Sequence, residues 1–471
     1  MQSPSTTTTE LSIPKLREVL NGEVITPEDD SYDEARHVFY GIDRRPAVII
    51  RPTDANEVAY VVSIARDSGT ELAVRSGGHS IAGYGSSDGG ITLDLSAMKA
   101  VDVDPDHHTA WVQTGLTAGE LTTALGEYGL AVGFGDTGSV GIGGITLGGG
   151  VGFLSRKLGL TIDSLLAAEL VTSDGKVLEV DAENHPDLFW AIRGGGGNFG
   201  VATRFQFRLH EVDQMIGGML ILPATPDTVA KFVELADSAP DELSTIANVM
   251  KAPPMPFLPE ELHGQVILFA LLVYAGDPDT GEAVVAPFRD LANPLFDMVQ
   301  PGSYAGIYEG EEEAAPPGVF AVRNLFVDDI DRAAAETIID QVTASTAAMA
   351  VTQIRVLGGA ILRVPEETTA YAHRRQPIML NIASMFEQPD EAATHQAWVD
   401  RLATALGDKG TAYVNFVGDE GQSRVRQAYP GQTWERLREV KEQYDPTNLF
   451  RLNQNIPPAA PRPDQDNWQP T

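Results

Sequence analysis

The chain of 471 residues contains no cysteine. Disulfides, thiolate metal sites and cysteine nucleophiles are therefore excluded. It is also short of positive charge: 33 lysines and arginines face 66 aspartates and glutamates, a formal net charge of -33. A field of that sign repels phosphate backbones and anionic bilayers, which argues against nucleic acid and membrane as partners. No apolar run approaches the roughly 18 residues that span a bilayer. The polar start, Met1 to Thr9, has neither the basic nor the apolar region of an export signal. The expectation is a soluble, cytoplasmic protein of two domains.

Glycine, by contrast, is plentiful and collected into tracts. The first is Arg75-Ser76-Gly77-Gly78-His79-Ser80, entered from a strand-like segment, Glu71 to Arg75. Its glycines let backbone N–H groups approach an anion closely. His79 on such a loop can serve as base, ligand or covalent attachment point. A second tract runs from Gly133 to Gly152, with valine, isoleucine and leucine alternating with glycine. That pattern is unlike a linker and suits backbone folded around a flat or charged ligand. A third is Arg193-Gly-Gly-Gly-Gly-Asn-Phe-Gly200.

Dinucleotide binding of the Rossmann type is the first explanation to test. Gly133-Phe-Gly135-Asp-Thr-Gly138 has the letters, but a helix precedes it and more glycine follows, so the strand–turn–helix context is missing. A P-loop is excluded because no tract ends in Gly-Lys-Ser/Thr. Around these tracts the pattern predicts a strand at Arg45–Arg51 and a helix opened by Asp54 and Glu57. It also predicts a hairpin turning at Asp174-Gly175 and a strand at Thr203–Leu209. After about Asp213 the glycine tracts stop, which marks a domain boundary.

Val140-Gly-Ile-Gly-Gly-Ile-Thr-Leu-Gly-Gly-Gly-Val-Gly152, Asp187 to Val201 and Tyr444 to Pro458 join the Arg75–Ser80 run in order along the chain. Together they resemble the berberine-bridge-enzyme branch of the FAD-linked oxidases, with the vanillyl-alcohol-oxidase fold and a sub-branch similar to 6-hydroxy-D-nicotine oxidase. The resemblance implies an α+β fold with a two-part, PCMH-type FAD-binding domain. Residues 1–213, with a core at about 45–213, would join a C-terminal segment, 413–471, carrying the motif at 444–458. Residues 214–412 would form a separate α+β substrate domain over the flavin.

By motif position the resemblance assigns the flavin to Arg75, Ser76, Gly77, Gly78, His79, Ser80 and Gly83. It adds Thr137, Gly138, Ser139, Val140, Gly141, Gly143, Gly144, Leu147, Gly149 and Gly152, then Val201, Tyr413, Asn415 and Asn453. His79 corresponds to the histidine that binds the flavin 8α-methyl covalently. Where relatives place a second, cysteine link, this chain has Thr137, so the flavin can be attached only once. The family's common histidine is Ile145 and one of its active-site tyrosines is Val151. Val140 matches the small residue that accompanies access of dioxygen.

Tyr413 supplies the other family tyrosine. Alcohol oxidation needs a base for the hydroxyl proton, and an unperturbed phenol, with a pKa near 10, is a poor one. A neutral amine needs none. The reading is therefore an FAD oxidase taking hydride from a small organic molecule, an amine first, and returning electrons to dioxygen as hydrogen peroxide. A hydroxyl or sugar substrate is the alternative, and a flavin-holding protein without turnover is the alternative of another class. In the middle domain, His373 within Ala372-His-Arg-Arg375 is a second catalytic candidate if it lies on a strand, with Arg355 and Tyr371 behind it. His107-His108 reads as a solvated turn, not a metal pair.

Overall fold

The computed structural model describes residues 11–309 and 318–459, so the polar start and the residues after 459 lie outside it. Val48, Ile49 and Ile50 are fully buried. A strand apolar on both faces belongs inside a covered, parallel sheet. It lies there: the four-stranded sheet runs Glu23–Ile25, Val48–Arg51, Ile91–Asp94, Leu72–Arg75, with the last three parallel. The crossover helix Ala55–Ser68 starts where the Asp54 side chain accepts from the amides of Asn56 and Glu57, and ends at Gly69 in the left-handed region. It buries Val58, Val61, Val62 and Ala65.

A five-stranded antiparallel sheet follows, centred on Val201–Arg208 between Thr109–Gln113 and Leu165–Val171. The hairpin Leu165–Val171 with Val177–Asp181 turns through Gly175, whose φ is 82°. His107 and His108 do lie in a turn, and no cluster of metal-ligand type occurs among the described residues.

The middle of the chain forms an eight-stranded sheet, antiparallel throughout. Alternation along its strands decides its two faces. In Met349–Val356, Ala350, Ile354 and Val356 join the core under the helices Pro226–Ser238, Pro278–Arg289, Arg332–Ala344 and Ala392–Ala405. Gln353 and Arg355 face the other way, towards the glycine tracts. The fold is the expected mixture of helix and sheet, and no described helix is long and apolar enough to cross a membrane.

From Ala412 the chain returns to the first two sheets, where Val414, Tyr429, Leu437 and Ile456 share a core with Leu188, Phe189 and Trp190. Its anchor is a fully buried ion pair. Lys441 Nζ donates to Asp445 Oδ2 at 2.7 Å, to the Asn198 carbonyl at 2.7 Å and to the Phe450 carbonyl at 2.9 Å. Asp445 in turn accepts from the amides of Leu449 and Phe450. Removing one partner strands the other charge away from water, which costs about 3–5 kcal/mol. Asp445→Asn is therefore expected to lower stability by about that amount, read as a reduced midpoint in urea unfolding with an unchanged slope.

Candidate active site

The glycine tracts, the inner face of the large sheet and the C-terminal segment enclose one elongated cavity of about 460 Å³. Its base is set by two tracts in backbone contact. A Cβ on Gly77 would sit 2.2 Å from Gly141 N, and one on Gly141 would sit 2.1 Å from Gly77 N. Ser76 Oγ fastens the crossing, donating to the Thr114 carbonyl at 2.6 Å and accepting from Gly143 N at 3.2 Å. Of the residues expected at the flavin, Arg75 to Ser80, Thr137, Val140, Gly141, Gly143, Gly144, Leu147, Val201, Tyr413, Asn415 and Asn453 line this cavity.

The others do not line it, each for a visible reason. Gly83 packs against Ile42, and a Cβ on Gly152 would lie 1.7 Å from the Phe134 carbonyl oxygen. Gly149, at a φ of 135°, fits between the rings of Tyr371 and Tyr413. Gly138 lies beneath the wall, where its carbonyl accepts from Gly119 N at 2.8 Å. Ser139 stands behind His79, with its Oγ 3.1 Å from Nε2. Arg75 reaches the wall, but its guanidinium donates to Asp94 and to the carbonyls of Ala35 and His37, so it fastens the segment before residue 40.

His79 is held from both sides. Phe39 stacks on its ring with centroids 4.0 Å apart, and Ser139 meets Nε2. Burial pushes its pKa down to about 4, with the Ser139 hydrogen bond opposing. The imidazole is thus neutral at neutral pH, the form that acts as a nucleophile.

Tyr413 is buried at the other end of the tract. Its hydroxyl oxygen accepts from Gly150 N and from Asn415 Nδ2, both at 2.9 Å. Asn415 is aimed by a second bond from the same nitrogen to the Ile145 carbonyl, 3.1 Å away. Burial raises the Tyr413 pKa, and the two donors with Arg355 pull against it.

His373 corrects the sequence reading. Residues 372–375 form a loop and turn rather than a strand, and His373 does not line the cavity. Its ring lies 4.9 Å from Phe326, and Nε2 bonds the Gln427 carbonyl at 3.1 Å. It is a packed histidine between the middle domain and the C-terminal segment. Tyr371 lies behind Tyr413, 5.9 Å between centroids, and off the cavity wall. Arg355, in contrast, lines the cavity and pairs with Asp136 at 2.6 Å.

Several cavity residues carried no motif. Phe39 and Tyr40 arrive from the segment that Arg75 fastens, and Asp136 sits inside the second glycine tract. Gln353 and Asn381 were visible only as polar residues on one side of apolar strands. Burial, with the nearby Asp136 charge, pushes the Tyr40 phenol up to about 12.

The cavity suits a flat, phosphate-bearing group. A Cβ on Gly144 or Gly197 would meet no protein atom within 4 Å, so these wall positions are bare where a ligand can lie against backbone. Asn453 Oδ1 is buried on the same wall without a partner. The family model for an FAD-binding domain matches residues 46–181, and the berberine and berberine-like model matches 412–457. (R)-6-Hydroxynicotine oxidase of Paenarthrobacter nicotinovorans is 31% identical over 94% of this chain and 98% of its own.

The chain belongs to the berberine-bridge-enzyme-like FAD-linked oxidoreductases. A xylooligosaccharide oxidase of Thermothelomyces thermophilus is 29% identical, covering 88% of each chain. Among solved structures, 6-hydroxy-D-nicotine oxidase from Arthrobacter nicotinovorans superposes with a TM-score of 0.82 at 28% identity, over 93% of this chain and 98% of that one. In this family setting FAD fits the cavity, with the tracts at 75–80 and 140–144, Val201 and Asn453 as the residues that would hold it.

The buried histidines set an acid limit on stability. His373, like His79, is pushed down to about 4 by burial. The unfolded chain takes up these protons below about pH 6.5, whereas the folded chain resists until about 4. Stability is therefore lost as pH falls through that window and is unaffected above it. His373→Gln is expected to flatten the fall in Tm between pH 6.5 and 4, measured by scanning fluorimetry across that range.

Proposed function

We propose that this oxidoreductase carries FAD on a single covalent bond from His79 and oxidises the C–N bond of a small amine. Dioxygen is the second substrate and hydrogen peroxide the product. The flavin, when bound, supplies the acceptor for the hydride. The protein supplies a neutral imidazole fixed between Phe39 and Ser139 and a reacting end bounded by Tyr413 and Val151. With Thr137 in place of a cysteine and none elsewhere, a second link of the family's kind has no donor. Val140 on the wall supports an oxidase rather than a dehydrogenase.

The observation that carries the choice of amine is the state of Tyr413. Burial holds its proton on well above neutrality, and a general base must start without its proton. A neutral amine loses hydride with the help of its own lone pair, so no such base is required. The likeness to a hydroxynicotine oxidase agrees with this reading, and the likeness to a xylooligosaccharide oxidase is what favours a hydroxyl substrate instead.

The covalent bond is tested by acid precipitation: the pellet is expected to stay yellow, and the His79→Ala pellet to be colourless. The reaction is tested by peroxide release across a panel of amines, alcohols and sugars. Activity on amines, rising with pH as the amine deprotonates, is the expected result. Peroxide from alcohols alone would overturn it, and neither peroxide nor flavin bleaching with any compound would favour a protein that only holds flavin. Tyr413→Phe separates the chemistries further. Reduction by an amine is expected to slow less than about 10-fold, whereas loss of a true base costs about 100-fold or more, measured by anaerobic stopped flow.

A further inference from the structure

Ser139 belongs to the second glycine tract, yet it stands behind His79 and does not line the cavity. Its neighbours fix its place. The Gly138 and Val140 carbonyls accept from the amides of Gly119 and Ala118, both at 2.8 Å, at the start of the helix Ala118–Gly126. Between those two tethers the Ser139 hydroxyl has one hydrogen-bond partner among the described residues, Nε2 of His79 at 3.1 Å. Ser139 is half-buried rather than sealed, so its hydroxyl is within reach of water.

The contact with the ring is two-fold, because the Ser139 backbone carbonyl also accepts from the imidazole. A carbonyl oxygen can only accept, so the single proton of the neutral ring is held on the side of Ser139, at Nε2. The lone pair is thereby left on Nδ1, which no hydrogen bond reaches among the described residues, on a ring that lines the cavity. Phe39 closes one face of that ring, its own N–H bonded to the Gly78 carbonyl at 3.1 Å. No charged side chain acts on the imidazole; burial and Ser139 are the influences on it. His79 thus lacks the carboxylate that orients and stabilises a charged imidazole in a serine–histidine–aspartate arrangement. A bond made from Nδ1 leaves positive charge on the ring unless the Nε2 proton departs, and burial opposes that charge.

We propose that Ser139 is the positioning residue for covalent attachment of the flavin: it presents His79 with Nδ1 free, and its hydroxyl passes the Nε2 proton to water as the bond forms. The assignment rests on the covalent link proposed above. The bond formed joins Nδ1 to the flavin 8α carbon. One C–H bond of the 8α methyl and the Nε2–H bond break, and both hydrogens leave as protons. The electron pair of that C–H bond passes to the isoalloxazine ring, which is reduced, and dioxygen takes the pair with two protons as hydrogen peroxide. Because Ser139 lies off the cavity wall, its hydroxyl can be removed without altering the surface against which the flavin rests.

Attachment is measured without substrate turnover. The full-length chain, produced under riboflavin starvation, is mixed with FAD in air, and intact mass follows the covalent fraction in time. Total bound flavin, read from absorbance of the desalted protein, is the control. Ser139→Ala keeps the backbone carbonyl and removes the hydroxyl. It is expected to bind flavin like the parent and to attach it at least about 10-fold more slowly, as loss of a proton-transfer group implies. Ser139→Thr restores a hydroxyl and is expected to attach at close to the parent rate. Equal rates in Ser139→Ala and the parent would overturn the assignment, as would a deficit that Ser139→Thr shares or that follows lost flavin binding. Should the flavin-free chain not stay folded, the same comparison is read in cells supplied with riboflavin, from the covalent fraction at successive times after induction. A parent that never gains the flavin mass overturns the covalent link itself. A parent that gains it beside an unaffected Ser139→Ala overturns only the role of Ser139.

Discussion

Where Gly77 and Gly141 cross, backbone lies against backbone and neither residue has room for a Cβ. That contact sets the rest of the site. It brings the loop that carries His79 against the tract that carries Ser139 and Val140, and it draws the short helix Ile142–Gly148 down onto Ser76. At the far end of the same tract, Gly150 offers its N–H to Tyr413. One glycine segment thus spaces the imidazole from the phenol.

The large sheet meets this frame through shared apolar clusters and through specific polar contacts. Arg355 reaches Asp136, Asn324 accepts from the amide of Tyr413 at 2.6 Å, and Arg374 clasps Asp163. Each joins a side chain of the large sheet or its loops to backbone or carboxylate of the flavin-binding part. These bonds run beside an apolar seam in which Val151, Leu160 and Ile162 pack with Phe326, Leu357 and Met379, so the large sheet and the glycine tracts are held together by both.

Much of the flavin side was legible in the sequence because it is written locally. Tracts such as 75–80 and 140–152 carry their function in consecutive residues, and Tyr413 with Asn415 is a two-residue signal. The large-sheet wall of the cavity is written across strands. Gln353 and Asn381 become neighbours only through register, which no single stretch of sequence encodes. His373 misled for the complementary reason: a histidine beside two arginines looks reactive, yet it is consumed in packing against Phe326 and Gln427. Phe39 and Tyr40 had no motif; the hold of Arg75 on the Ala35 and His37 carbonyls, with the bond from Phe39 N to the Gly78 carbonyl, explains their place.

The C-terminal return has a consequence for biogenesis. Tyr413, Asn415, Phe450 and Asn453 all line the cavity, and the loop bearing the last two is secured by Lys441 and Asp445. A nascent chain still lacking these residues has a glycine cradle with one side open. Closure of the cradle therefore waits until this segment has packed against the glycine tracts.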